Sequence, residues 1–216
     1  MTCCGSVAGA SAERQFGETR AAKDLAHYRA KGAGSTARLL VAGLASAGPL
    51  EGRLLDIGSG IGALAFALLD RGLTAAVGVD LSSAYVARAG EEAARLGRSG
   101  SANFIHADFV EVAGQLPAAD VVTLDRVVCC YPDGDRLLDE SLRHANRYFA
   151  LSYPRDVWYV RAWVALENLI RQISRNPFRT FVHSAAAMET RIRRAGFELV
   201  SRSGTRVWCA DVFRRV

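Results

Sequence analysis

The sequence of 216 residues predicts a three-layer α/β sandwich: a mostly parallel seven-stranded sheet that closes with an antiparallel C-terminal hairpin strand. Three observations carry this. Apolar, β-branched runs alternate with helical patterns from Arg53 to Ser152, as in a parallel sheet covered on both faces. The run Arg53-Leu-Leu-Asp-Ile-Gly-Ser-Gly-Ile-Gly-Ala63 joins a strand to a helix through a glycine-rich turn. Two further strand-like runs meet at Ser203-Gly204 and read as a hairpin.

The elements follow in order. Residues 1–12 are small and polar and read as a loose tail. Glu13 to Lys31 is helix-rich, with Phe16, Leu25 and Tyr28 as its larger apolar residues, and Gly32-Ala-Gly-Ser35 breaks it. Ser35 or Thr36 can cap a second helix, Ala37 to Ala45, which Gly48-Pro49 ends. Strand Arg53–Ile57 and helix Ala63–Arg71 follow, then strand Ala75–Val79, ending at Asp80. Ser82 or Ser83 caps a helix that runs to Leu96. Asn103–His106 and Asp120–Leu124 are strands, Asp133 caps a helix to about Arg147, and Tyr148–Ser152 is a fifth strand. The last third changes character. Asp156 to Ser174 is a long helix bearing Trp158 and Trp163, Asn176-Pro177 breaks it, and Ser184–Ala195 is another helix. Phe197–Arg202 and Arg206–Phe213 form the hairpin. One domain, 13–216, is expected, with N-terminal helices over 13–48 and a helical insertion over 155–182.

Composition narrows the function classes. Half the residues are hydrophobic, enough for a sizeable core. No run of about 18 apolar residues predicts a membrane span. The N-terminus lacks the basic flank and apolar run of a secretion signal. Five cysteines without metal spacing, two pairs of them adjacent, read as reduced thiols in a cytoplasmic protein. The net charge of +5 is uneven: Arg155 to Val216 holds 12 arginines and 5 acids. That excess points to an anionic substrate or to a solvated arginine-rich surface. Basic runs interleaved with aromatics are absent, which disfavours nucleic acid.

Gly58, Gly60 and Ala63 satisfy the dinucleotide spacing G-x-G-x-x-G/A, so a nicotinamide-dependent oxidoreductase has to be weighed. Asp56 argues against it. A carboxylate two residues before the first glycine repels a pyrophosphate and attracts an ammonium group. A third glycine, Gly62, and the closing hairpin point the same way.

With those residues in view, the chain resembles the class I S-adenosylmethionine-dependent methyltransferases from about Leu54 to the final hairpin. Leu55-Asp-Ile-Gly-Ser-Gly-Ile-Gly62 is similar to the family's first motif, D/E-x-G-x-G-x-G. Val77-Gly-Val-Asp-Leu-Ser82, Phe104-Ile-His-Ala-Asp-Phe109 and Ala119-Asp-Val-Val-Thr-Leu-Asp125 resemble its second-strand, adenine-contacting and fourth-strand segments. The resemblance implies a Rossmann-like fold and S-adenosylmethionine as cofactor. Asp56, Gly58, Ser59, Gly60 and Gly62 would then hold the methionine end, and Asp80, beside Leu81, would accept the ribose hydroxyls. Asp108, after Ala107, would accept the adenine amino group, and Phe109 would pack on its face. Asp125 and Arg126 would lie beside the methyl group. Plainer readings stand beside these: Asp80 as a turn or cap, Asp108 as a helix cap, Phe109 as core.

Methyl transfer from a sulfonium needs mainly an aligned nucleophile, so no fixed catalytic motif is expected. Tyr131, in Val127-Val-Cys-Cys-Tyr-Pro-Asp133, is a candidate for orienting substrate, or a packing residue. That segment loosely resembles the Tyr-Pro stretch of magnesium-protoporphyrin methyltransferases, which esterify a propionate. Cys129 and Cys130 read as thiol ligands for a soft metal or, more simply, as small buried residues; no metal site is expected. His183 is the candidate base, with a capping role as the plainer reading. Arg155 and Trp158 are candidate substrate contacts. Tyr28 resembles the family's lid over the cofactor. The expected function is S-adenosylmethionine-dependent methylation of a small molecule, with oxygen favoured over nitrogen or carbon. The rivals are the oxidoreductase and a non-catalytic binding module of this fold. Monomer and homodimer both remain open.

Overall fold

The computed structural model describes residues 7–216. Cys3 and Cys4 lie outside them, as does the first half of the expected tail. From Val7 the chain is already helical, so the boundary expected at residue 12 is corrected. The elements are α1 (Val7–Gln15), α2 (Glu18–Lys31), α3 (Ser35–Ala47), β1 (Arg53–Ile57), α4 (Ala63–Leu69), β2 (Ala75–Asp80) and α5 (Ser83–Arg95). Next come β3 (Ala102–His106), α6 (Phe109–Val112), β4 (Ala119–Asp125), α7 (Gly134–His144) and β5 (Ala145–Pro154). The chain closes with α8 (Trp158–Ile173), α9 (Ala185–Arg194), β6 (Phe197–Gly204) and β7 (Trp208–Arg215).

The seven strands form one sheet in the order β3-β2-β1-β4-β5-β7-β6. β1 to β5 run parallel, and β7 enters antiparallel between β5 and β6. A crossover back to the far side of β1 begins at β3–α6–β4, so the order reverses between β1 and β4, where an open α/β sheet leaves its crevice. Two cores sandwich the sheet. Leu40, Leu44, Leu64, Phe66 and Leu68 of α3 and α4 pack one face. Phe109, Leu137, Leu138, Met188 and Ile192 of α6, α7 and α9 pack the other.

Local chemistry explains where helices start. Ser82, Asp108, Asp133 and Ser184 each accept a backbone N–H from the first turn of α5, α6, α7 and α9. Neither Ser35 nor Thr36 caps α3, contrary to expectation: Gly34 holds that position without a side-chain bond. The single helix expected from Glu13 to Lys31 is two helices, because Phe16 and Gly17 interrupt it. The fifth strand is longer than expected and starts directly after His144, so α7 stops short of Arg147.

Two buried carboxylates brace the frame. Glu92 of α5 is fully buried and takes Arg29 of α2 and Arg95 as partners, at 2.6 Å each. Asp211 of β7 accepts the Tyr153 hydroxyl at 2.7 Å and a forked pair from Arg202 at 2.9 and 2.8 Å, which locks the hairpin to the end of β5.

Candidate cofactor and substrate site

The loop after β1 owes its shape to three glycines. Gly58, Gly60 and Gly62 have φ of 67°, 54° and 80°, in the left-handed region that side chains with a Cβ resist. Four of its five N–H groups are already spent. Gly58 and Ser59 donate to the Val79 carbonyl at 2.7 and 3.2 Å, Gly62 to the Ser59 carbonyl at 2.9 Å. Gly60 donates to Asp80 Oδ2 at 2.8 Å. A pyrophosphate cradle needs such donors free, so the loop does not suit a dinucleotide.

Carboxylates surround it instead. Asp56, 1% exposed, accepts the Thr123 hydroxyl on Oδ1 at 2.6 Å, while its Oδ2 is buried without a partner. Burial pushes its pKa up to about 7; the Thr123 bond opposes this, and Asp125 and Asp80 add to it. Ser59 Oγ is a second buried polar atom without a partner. Such orphans are costly unless something else satisfies them. A cationic group would satisfy the carboxylate oxygen, so the residues fit the ammonium and sulfonium of S-adenosylmethionine.

Asp80 closes the turn: Oδ1 accepts Ser82 N at 2.8 Å and Oδ2 accepts Gly60 N. Burial raises its pKa, against these two bonds. Leu81 follows, half-buried, its carbonyl 3.1 Å from His106 Nε2. Ala107 donates to the Asp80 carbonyl at 3.0 Å and so holds Asp108 next to the strand-two turn.

Asp108 caps Val110 N at 3.1 Å and accepts the Tyr131 hydroxyl at 2.9 and 3.1 Å. Burial, then the Asp108 charge and bond, push the Tyr131 pKa upward, so the hydroxyl keeps its proton. Tyr131 therefore reaches Asp108 and is not poised as a base. Phe109, expected on the adenine face, is corrected to a core residue: it is buried, edge-on to His144 with ring centres 5.5 Å apart.

At the end of β4, Asp125 accepts Ser152 Oγ at 2.5 Å, and Ser152 Oγ accepts Arg126 N at 2.9 Å. Arg126 has φ of 61°, an uncommon conformation for a residue with a Cβ. Its carbonyl takes the thiols of Cys129 and Cys130 at 3.5 and 3.6 Å, and its guanidinium lies 6.0 Å from the Trp208 ring centre. The two thiols are 3.5 Å apart. Their mutual bond raises the Cys129 pKa and lowers that of Cys130, which Arg171 and Arg126 also draw down.

The remaining candidates scatter. His183 Nε2 lies 3.0 Å from the Val128 carbonyl, so that nitrogen carries the proton, and the ring packs against Gly134. It pins the loop before α9 to the turn after β4. Arg155 is exposed and donates to the Thr205 carbonyl at 3.2 Å. Trp158 is 80% exposed on the outer side of α8. Tyr28 packs with its ring 6.3 Å from Phe66 and against the cluster that holds Ile61 of the loop, and Glu92, Asp70 and Arg95 are the charges that act on it.

Cover at the Asp80 end comes from residues that open the helix-rich stretch Glu13 to Lys31. The Phe16 carbonyl accepts Ser82 Oγ at 2.7 Å, and Glu13 Oε1 accepts Ser83 N at 2.8 Å. Phe16 bridges Tyr85 and Phe178, with ring centres 5.9 and 5.2 Å away. An aromatic–glycine pair breaking an alanine-rich helix was the signal available. Two surface grooves of about 400 and 680 Å³ lie along α7 and α9 and include none of the candidate residues.

Sheet order, glycine loop and strand-end acids define a class, and residues 54–147 match a family described as a methyltransferase domain. The family match covers residues 54–147, and the solved structures that follow share the fold. Among solved structures, it is similar to magnesium protoporphyrin IX methyltransferase from Synechocystis PCC 6803 with SAH bound. They share 20% identity at a TM-score of 0.73, over 97% of this chain and 100% of that one. The same protein with SAM bound gives 18% and 0.72, over 100% of both chains. The [4+2]-cyclase SpnF shares the fold at 17% identity and a TM-score of 0.62, over 83% of this chain and 81% of that one. No curated protein matches the chain in sequence.

Proposed function

We propose that the protein transfers the methyl group of S-adenosylmethionine to an oxygen of a small anionic acceptor, a carboxylate foremost. The observation that carries the cofactor assignment is the buried, unpartnered Oδ2 of Asp56 beneath a loop with four of its five N–H groups already bonded. Asp56 and the Gly58–Gly62 turn would hold the methionine end, and Asp80 with Leu81 the ribose. Asp108, next to Ala107, would take the adenine amino group. When bound, the cofactor supplies a methyl group already activated on sulfur. Asp125 and the strained Arg126 turn would border the acceptor, with the Arg126 guanidinium as an anion contact.

A carboxylate fits the state of the two expected bases. Tyr131 holds its proton and His183 Nε2 donates to a carbonyl. A carboxylate is ionised at neutral pH and needs no base, so alignment suffices. The free thiols Cys129, Cys130 and Cys209 suit a reducing compartment such as the cytoplasm. The SpnF likeness keeps one other reading in play, a cofactor-binding fold that catalyses no methyl transfer.

Calorimetric titration with S-adenosylhomocysteine and with NADPH tests the cofactor. Binding of the first alone is expected, and binding of NADPH alone would reject the proposal. Asp80→Ala should weaken S-adenosylhomocysteine by roughly 1–3 kcal/mol, the worth of charged hydrogen bonds. Methyl-labelled cofactor should then yield product that alkali releases as methanol if the bond is an ester; alkali-stable product would exclude the carboxylate. Tyr131→Phe should leave the pH profile of turnover unchanged in shape, and loss of a rise in rate with pH would make Tyr131 the base after all.

A further inference from the structure

Helix α8 is turned inside out. Trp158, Trp163, Leu166, Leu169, Ile170 and Ile173 are all exposed, Trp158 at 80%, Trp163 at 59% and Ile173 at 75%. At 100° per residue they fall within one arc of about 140°, and Tyr159 lies inside it. The opposite side faces the protein and is half polar. Val160 and Val164 are buried there. Asn168 exchanges hydrogen bonds with the Thr180 backbone at 2.7 and 3.0 Å, and Arg171 bonds Glu167 at 3.1 Å and lies over the Phe178 ring. These bonds fix the rotation of the helix, so the outward apolar face is a built feature. A continuous exposed patch of this kind marks an interaction surface.

We propose that this face docks the protein flat onto an anionic lipid surface. Charge decides the partner. The stretch 155–182 carries five arginines and two acids. Both acids, Asp156 and Glu167, pair with arginines of the same stretch, Arg161 and Arg171. Arg155 and Arg179 bond only backbone carbonyls in the contacts described, and Arg175 and, on the hairpin turn, Arg206 are exposed. The rim is therefore cationic. A two-fold contact with a second copy would set like rims against each other. Anionic headgroups would neutralise them. Two of the chain's three tryptophans stand on this face, the residue type favoured where headgroups meet acyl chains. Among the described residues no helix is long and apolar enough to cross a membrane, so α8 would lie in the interface plane.

The helix spans the carboxyl ends of the strands. The Tyr159 hydroxyl donates to the Arg206 carbonyl at 2.7 Å near one end, and Asn176 donates to Gln15 at 2.9 Å past the other. On the methyl-transfer reading, docking brings the site to the lipid surface; the docking itself does not depend on that reading.

Flotation with phosphatidylcholine vesicles, with and without phosphatidylglycerol, tests it. The full chain should float with the anionic vesicles, with a blue shift of tryptophan emission, and bind neutral ones at least roughly tenfold more weakly. Trp163→Ser with Ile173→Ser, and separately Arg175→Glu with Arg206→Glu, should each weaken flotation about tenfold or more. Their melting temperature and S-adenosylhomocysteine affinity should stay unchanged, which separates lost docking from lost folding. No flotation of the parent chain, or flotation indifferent to both double substitutions, would overturn the proposal. So would a dimer in sedimentation that the Trp163→Ser, Ile173→Ser protein loses, without vesicle binding by the parent.

Discussion

Asp56→Asn is expected to raise the melting temperature of the free protein at pH 8 while weakening its hold on S-adenosylhomocysteine. The carboxyl is buried, bonded on one oxygen to Thr123 and orphaned on the other, and its pKa is pushed up to about 7 from an ordinary 3.8. Between those two values the folded chain keeps a proton that the unfolded chain has released. Stability therefore falls as pH rises from about 4 to 7 and levels off above. The full cost across that window is roughly 2–4 kcal/mol. An amide carries no such cost, so the variant should show a flatter melting profile and the larger gain above pH 7. Binding has the opposite sign. If the ionised carboxylate receives a ligand ammonium, parent affinity should climb as pH rises through about 7. In the variant that climb should vanish, with a loss of about 1.5–3 kcal/mol at pH 8, the worth of a hydrogen bond to a charged group. Calorimetry across pH 5.5 to 8.5, roughly spanning the titration, reads both. Unchanged affinity in the variant would remove Asp56 from the site.

The strand–helix alternation was legible because each parallel strand is a short apolar run and each helix begins at a capping side chain, as at Ser82 and Asp133. The glycine spacing showed the loop, and Asp56 its preference for a cation. What decides side-chain roles was not legible, because it rests on partners far away in sequence. Asp56 meets Thr123 across 67 residues and Tyr131 meets Asp108 across 23. Tyr28 packs against Phe66 and the cluster that holds Ile61, contacts across the chain that its residue type does not announce. Phe16 and Glu13 do cover the Asp80 turn but sit at a break inside a stretch that read as one helix. The apolar stripe of α8 was plain in its periodicity. Which way it faces depends on Asn168 reaching Thr180, and no period in the sequence records that.

Gly62→Ala should both destabilise the protein and abolish cofactor binding, whereas Gly60→Ala should do much less. Both glycines have positive φ, 80° and 54°, so each substitution carries about 1 kcal/mol of backbone cost. The surroundings separate them. A Cβ on Gly62 would lie 2.6 Å from Phe104 Cζ and 2.9 Å from Phe66 Cε2. Those rings pack edge-on with centres 5.8 Å apart and support the first turn of α4, so neither can yield without moving the other. Overpacking of this kind costs about 1–3 kcal/mol, for a total of roughly 2–4 kcal/mol. A Cβ on Gly60 would meet only Tyr85, at 3.7 Å, an ordinary contact. Melting curves should therefore rank Gly62→Ala well below Gly60→Ala, and S-adenosylhomocysteine affinity should follow the same order because the ligand reads the loop's shape. Equal effects at the two positions would mean that the turn's conformation alone, without its seat on Phe104 and Phe66, governs the site.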